Sequence, residues 1–258
     1  MDLTSDLSSP IGGDITRRGP IPSEILQGIV LTLDAADVAV SGGKVATWNN
    51  AGGTPITQAT AAQRATYVAS DAQFKGQPVA TFASDGPAGT AWNVYDLPSL
   101  AALTQGEAFA VLASQYGFTT GPGGGDRYTG LWHMGADVGN VHYPYPDGNA
   151  YDSFGTTARK TYSQVYLTHA FTEPHVYNVS SAPSAYTARY NASVMHATAS
   201  NTVGFASAPT FGAYNSASGL YGFNGRLAYL VVCSAVQTPA ARAKMLGYLN
   251  TRFGTPAS

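Results

Sequence analysis

Apolar residues recur along this chain in short runs separated by turn-forming clusters. The clearest run is Phe223–Ser234, in which Tyr229, Val231 and Cys233 can share one face and Leu230, Val232 and Ser234 the other. Few polar positions mark a wet face, so the run predicts a strand buried on both sides. Beyond it the period changes. Met245, Leu246, Leu249 and Phe253 fall on one helical stripe, with Thr238 placed as N-cap, Pro239 at the first helical position, Gly254 at C′ and Pro256 as a stop. A buried strand followed by one closing helix is thus the strongest fold signal.

Upstream, strands are predicted at Ile29–Asp34, Val45–Trp48, Gln77–Phe82, Phe109–Gln115, Leu131–Met134, Val165–Ala170, His175–Ser180, Ala185–Tyr190 and Thr210–Tyr214. Turns are expected at Ser41-Gly42-Gly43, Asn49–Gly53, Lys75-Gly76 and Thr172-Glu173-Pro174, and one helical turn at Ser99–Leu103. Many short strands with turns between them indicate an all-β antiparallel sandwich. No internal repeat or linker divides it. Residues 1–28, poor in aromatics and rich in Ser, Gly, Pro and Asp, read as an extended N-terminal arm with at most a turn of helix at Ser23–Leu26. The expected organisation is therefore an arm, 1–28, and one domain, 29–258.

Composition narrows the function. Charged residues make up 11% of the 258, against a typical ~25%, and the formal net charge is −2 with no basic cluster. Binding to nucleic acid through phosphates is not expected. The single cysteine, Cys233, excludes an internal disulfide framework and reads as a small buried hydrophobe. The longest apolar run, Leu227–Cys233, is too short to insert in a membrane, and Met1–Gly28 lacks the apolar core of a secretory signal. Synthesis in the cytoplasm without a signal peptide is the resulting expectation.

The order of Leu33-Asp34-Ala35, Trp48-Asn49-Asn50-Ala51-Gly52, Pro78-Val79-Ala80-Thr81-Phe82, His175-Val176-Tyr177 and Phe223–Val232 resembles the concanavalin A-like lectin/glucanase superfamily, in its laminin G-like bacterial and phage branch. The resemblance implies a jelly roll of two curved antiparallel sheets, with a short C-terminal helix here. It also implies a choice of roles, since members include lectins, glycanases and virion proteins without catalysis. The first expectation is a non-enzymatic virion structural protein (a head decoration, fibre or tail-appendage subunit), acting in the virion as a homo-oligomer and anchored to other virion proteins through residues 1–28. The alternative is a lectin module that binds host-surface glycan.

Glycanases of this fold carry paired carboxylates flanking the sugar bond. Glu24, Glu107 and Glu173 each lack an acidic neighbour at the required spacing, so no catalytic residue is assigned and the protein is not expected to be an enzyme. Gly121–Asp126 lacks the Gly-Lys-Ser/Thr ending of a phosphate loop and reads as a loop tip. The five histidines form no close ligand pair in sequence.

The richest stretch is Asn140–Asp152. Asn140, His142, Tyr143, Tyr145, Asp147, Asn149, Tyr151 and Asp152 together offer stacking rings and directional polar groups, as a neutral sugar or a protein partner requires. A hairpin packed by its own tyrosines is the competing reading. No cofactor or metal is expected; calcium, which lectins of this fold often hold, would fall to Asp147, Asn149 and Asp152, whose spacing is not that of an EF-hand loop.

Overall fold

The structure, a computed structural model, describes residues 22–84, 92–116, 130–136, 141–145, 147, 149–163, 170–213 and 222–256. Among these the chain begins with α1 (Pro22–Ile25), then β1 (Ile29–Asp34), β2 (Val38–Ser41), β3 (Lys44–Trp48), β4 (Ile56–Thr57), β5 (Thr66–Asp71), β6 (Gln77–Phe82), β7 (Tyr95–Asp96) and β8 (Gly106–Ser114). It continues through β9 (Trp132–Gly135), β10 (Asn149–Asp152), β11 (Lys160–Ser163), β12 (His175–Ala182), β13 (Ala185–Tyr190), β14 (Ser193–Thr198), β15 (Phe205–Phe211), β16 (Gly225–Cys233) and α2 (Pro239–Phe253).

β16 organises the main sheet. One edge pairs with β8 along its length; the other pairs first with β6 and then with β1. A bulge between Leu227 and Tyr229 accommodates this change of partner. The main sheet runs β14-β13-β12-β8-β16-β6-β5-β3-β2, entirely antiparallel, and two smaller sheets, β7-β15-β9 and β10-β11, complete an antiparallel jelly-roll β-sandwich. Leu230 and Val232 enter the core that includes Trp48, Phe82, Trp132, Tyr177 and Phe211. Tyr229, Val231 and Cys233 face a second core, built with Phe109, Val111 and the α2 residues Met245, Leu249 and Phe253. The two-sided burial expected of this strand thus has two sources, the sandwich interior and the helix. Burial raises the Cys233 thiol to about 12, as suits an inert packing residue.

Local chemistry sets the ends of α2. The Thr238 hydroxyl accepts the Ala241 N–H at 3.1 Å, and Gly254 adopts φ 73° as its N–H closes on the Asn250 carbonyl. Thr238→Ala is expected to cost about 1 kcal/mol in urea unfolding with an unchanged m-value; a cost indistinguishable from zero would show that packing alone places the helix. The Gly42-Gly43 turn between β2 and β3 has φ of 61° and 74°, the paired positive values of a tight hairpin turn.

Some elements differ from expectation. Residues 99–103 form a turn closed by the Leu103 N–H on the Leu100 carbonyl, with no helix. The strand expected at Thr210–Tyr214 is β15, which starts at Phe205; Pro209 and the small residues beside it hide its period. Residues 164–169, most of another expected strand, lie outside the described residues, as do 1–21 of the arm and Gly121–Asp126. Pro22–Gly28 includes α1, and Ile25 and Leu26 are buried in the second core beneath it. Among the described residues no helix is long and apolar enough to cross a membrane.

Candidate functional site

The tyrosine-rich stretch is divided by the alternation of a strand. In β10, Ala150 and Asp152 are buried while Asn149 and Tyr151 are half-exposed. β10 pairs with β11, and Tyr151 also exchanges both backbone hydrogen bonds with His142 at 2.9 Å. Tyr145 donates its N–H to the Asn149 carbonyl at 2.8 Å, which closes the loop around exposed Asp147.

Five of the eight candidate residues meet around this loop, four of them open to solvent and His142 buried beneath them. The Tyr145 and Tyr151 rings stand edge to face at 5.3 Å, and His142 lies 4.7 Å from Tyr145. Asp147 accepts the Tyr151 hydroxyl at 2.5 Å and the Asn149 N–H at 2.9 Å. Burial alone would raise the Asp147 carboxyl, but the hydrogen bonds from Tyr151 and Asn149 outweigh it and keep the group below the usual carboxylate value. It is an anion at neutral pH. Its hydrogen bond, followed by burial, raises the Tyr151 hydroxyl. Burial, reinforced by the Arg159 cation and opposed by Asp147, lowers His142 to about 3, so its imidazole is neutral.

Arg159, just before β11, places its guanidinium 4.4 Å from the Tyr151 ring centre. It was absent from the sequence-derived set. The only signal for it was a cation at the mouth of a hairpin whose partner strand carries an outward tyrosine.

Tyr143 and Asp152 lie elsewhere. Tyr143 is buried against Phe171 and Tyr177, and its hydroxyl meets His175 Nε2 at 2.7 Å. Asp152 is buried and accepts from Trp132 Nε1 at 2.9 Å, from the Phe154 N–H at 2.9 Å and from the Tyr177 hydroxyl. Burial raises its carboxyl, and the Tyr177 and Trp132 hydrogen bonds offset only part of this. These two side chains hold up the platform from the core and offer no surface to a partner. Asn140 lies outside the described residues.

With Asp152 in the core, Asp147, Asn149 and Asp152 do not converge on one point. Among the described residues no group of three or more His, Cys, Asp or Glu side chains is arranged to hold a metal ion. Of the glutamates, Glu107 is buried and bound by Arg242, while Glu24 and Glu173 are exposed. The outer cluster therefore combines two half-exposed rings with one anion, one cation and an amide. Such a surface can stack on a sugar face and hydrogen-bond its hydroxyls.

No protein-family model matches the chain, and no curated protein matches it. Solved structures do. Domain 4 of AbnA, a GH43 extracellular arabinanase from Geobacillus stearothermophilus, in complex with arabinotriose, is similar with a TM-score of 0.51 and 14% identity, over 85% of this chain and 98% of that one. Trypanosoma rangeli sialidase in complex with 2,3-difluorosialic acid is similar with a TM-score of 0.53 and 10% identity, over 87% of this chain. This chain spans 33% of that sialidase. At such identities the likeness is one of fold: the chain shares its β-sandwich architecture with domain 4 of the arabinanase and with part of the sialidase.

Proposed function

We propose that this chain is a carbohydrate-binding β-sandwich module that holds a glycan on Tyr145 and Tyr151, with Asp147, Asn149 and Arg159 at the rim. One observation carries the reading: two half-exposed tyrosine rings 5.3 Å apart, set among polar groups on one hairpin. Their contacts with one another, with His142 and with Arg159 hold the rings in place before any ligand arrives. A preordered platform loses little side-chain freedom on binding, which favours even a small ligand. The shared fold with a domain held in complex with arabinotriose supports the choice of ligand class. It also favours the lectin role over the structural role in a virion.

On this reading sugar is bound and not cleaved. Glu107 and Asp152 are buried, and Asp34 and Asp71 are ion-paired to Arg252 and Arg226. Asp147, the carboxylate of the platform, has both oxygens hydrogen-bonded within the hairpin.

The test is a glycan array probed with the whole chain, followed by calorimetry with each retained sugar and with arabinotriose. Tyr145→Ala and Tyr151→Ala should each weaken binding roughly tenfold, about 1.4 kcal/mol, in variants that keep the wild-type circular dichroism. A folded protein that retains no glycan sinks the proposal, as does binding unchanged in the double variant.

A further inference from the structure

Away from the tyrosine hairpin, a cleft of about 640 Å³ opens where three adjacent strands end. It lies at the close of β6 and β8 and the start of β16, and its walls carry Gln73, Thr81, Gln115, Thr172, Glu173 and Arg226. The volume falls within the roughly 300–1,000 Å³ of small-ligand sites. Arg226 is held from three sides: its guanidinium lies 5.2 Å from the Phe74 ring centre, pairs with Asp71 at 2.9 Å, and hydrogen-bonds Gln73 Oε1. The far wall is fixed as well, since the Glu173 carbonyl accepts from His175 Nδ1 at 2.8 Å. From these features we infer that the cleft is a second carbohydrate site, selective for neutral oligosaccharides; this rests on the carbohydrate-binding reading above.

Three features point to that ligand class. Asp71 already neutralises Arg226, so that guanidinium does not draw in anions such as phosphate or sulfated sugars. Besides the exposed Glu173 carboxylate, the open side groups of the described lining are the amides of Gln73 and Gln115 and the hydroxyls of Thr81 and Thr172, while its aromatic ring, Phe82, is buried. Recognition must therefore come from hydrogen bonds, as it does for a hydroxyl-rich chain. An extended peptide would look for a free strand edge. β6, β8 and β16 offer none, because each is paired on both sides.

The test is titration of the whole ¹⁵N-labelled chain with arabinotriose, xylotriose, cellotriose and maltotriose, following the side-chain amide resonances of Gln73 and Gln115. At least one trisaccharide should shift both resonances, and Gln115→Ala with Thr172→Ala should weaken the binding read at the Gln73 amide about tenfold, as loss of two hydrogen bonds implies. Shifts confined to Tyr145 and Tyr151 overturn the cleft and leave the platform standing. Cleft shifts that persist in Tyr145→Ala/Tyr151→Ala, with no response at the platform of the wild type, retain the cleft and remove the platform. Silence at both places removes both. A response to a glycine-serine peptide or to sulfated trisaccharide, without one to the neutral sugars, overturns the ligand class.

Discussion

Replacing Glu107 by Ala is expected to destabilise the protein by roughly 3–5 kcal/mol, the cost of breaking a buried ion pair from one side. The carboxylate is fully buried and binds Arg242 through both oxygens, at 2.7 Å to Nε and 3.0 Å to Nη2. The same oxygens accept Asn178 Nδ2 and the Gln237 N–H, each at 2.8 Å. Asn178 Oδ1 in turn accepts from Arg189 at 3.0 Å. One side chain of β8 thus ties together β12, β13, the turn before α2 and α2 itself. Removing it leaves a guanidinium with 13% side-chain exposure and a backbone N–H without their acceptor. Against a typical total of about 5–15 kcal/mol, the loss should appear as a large fall in the urea midpoint. The pair Glu107→Leu with Arg242→Met should recover part of it, since an apolar replacement needs no counter-charge. Recovery stays incomplete because the Gln237 N–H still lacks a partner. A loss below about 1 kcal/mol for Glu107→Ala would mean that water reaches the network.

Glu107 also shows what the sequence hides. A glutamate in an apolar run reads as an interruption, and its partner Arg242 lies 135 residues away. Strands buried on one or both faces with a regular period, such as β1, β6, β13 and β16, were legible from pattern alone. The unread strands β2, β4, β5, β7, β10, β11 and β14 are very short, mostly polar or near a sheet edge. In β14 a bulge opposite Ala188 and Arg189 upsets the alternation, so that Val194 is exposed while Met195 is buried. The candidate site was partly legible for a related reason. Composition located the hairpin, but only the period-two alternation of Asn149, Ala150, Tyr151 and Asp152 separates surface from core, and that reading requires knowing β10 is a strand. Burial of Asp152 depends on Trp132 and Tyr177, which come from β9 and β12. No local signal carries such contacts. The Gln73–Arg226 cleft was illegible for the same reason, since its walls come from segments more than 150 residues apart.

Acid should unfold this protein through its buried histidines, among them His175. The ring is fully buried, stacked on Tyr190 with centres 4.4 Å apart. Its Nδ1–H donates to the Glu173 carbonyl, so Nε2 is the acceptor for the Tyr143 hydroxyl. Burial lowers its pKa from 6.5 to about 3, opposed only in part by the Glu173 carbonyl. Above pH 6.5 the imidazole is neutral in both folded and unfolded chains and contributes no pH dependence. As the pH falls below 6.5 the unfolded chain takes up a proton that the folded chain refuses, so stability declines by about 1.4 kcal/mol per pH unit. The decline ends near pH 3, where the folded form also protonates, after a total of about 5 kcal/mol. His142, lowered to a similar value, adds a parallel loss over the same window. Asp152 acts in the opposite sense: its raised carboxyl contributes stability at low pH that is lost as pH rises through its folded value. Its effect is common to the proteins compared and cancels in a comparison of variants. His175→Phe keeps the ring and removes the proton site. It should be less stable than wild type at pH 7.5, because the Tyr143 hydroxyl and the Glu173 carbonyl lose their partner, yet its unfolding free energy should fall with a slope shallower by about one proton between pH 6 and 4. Urea unfolding across that range decides the matter, and parallel profiles for the two proteins would show that the folded state accommodates the His175 imidazolium.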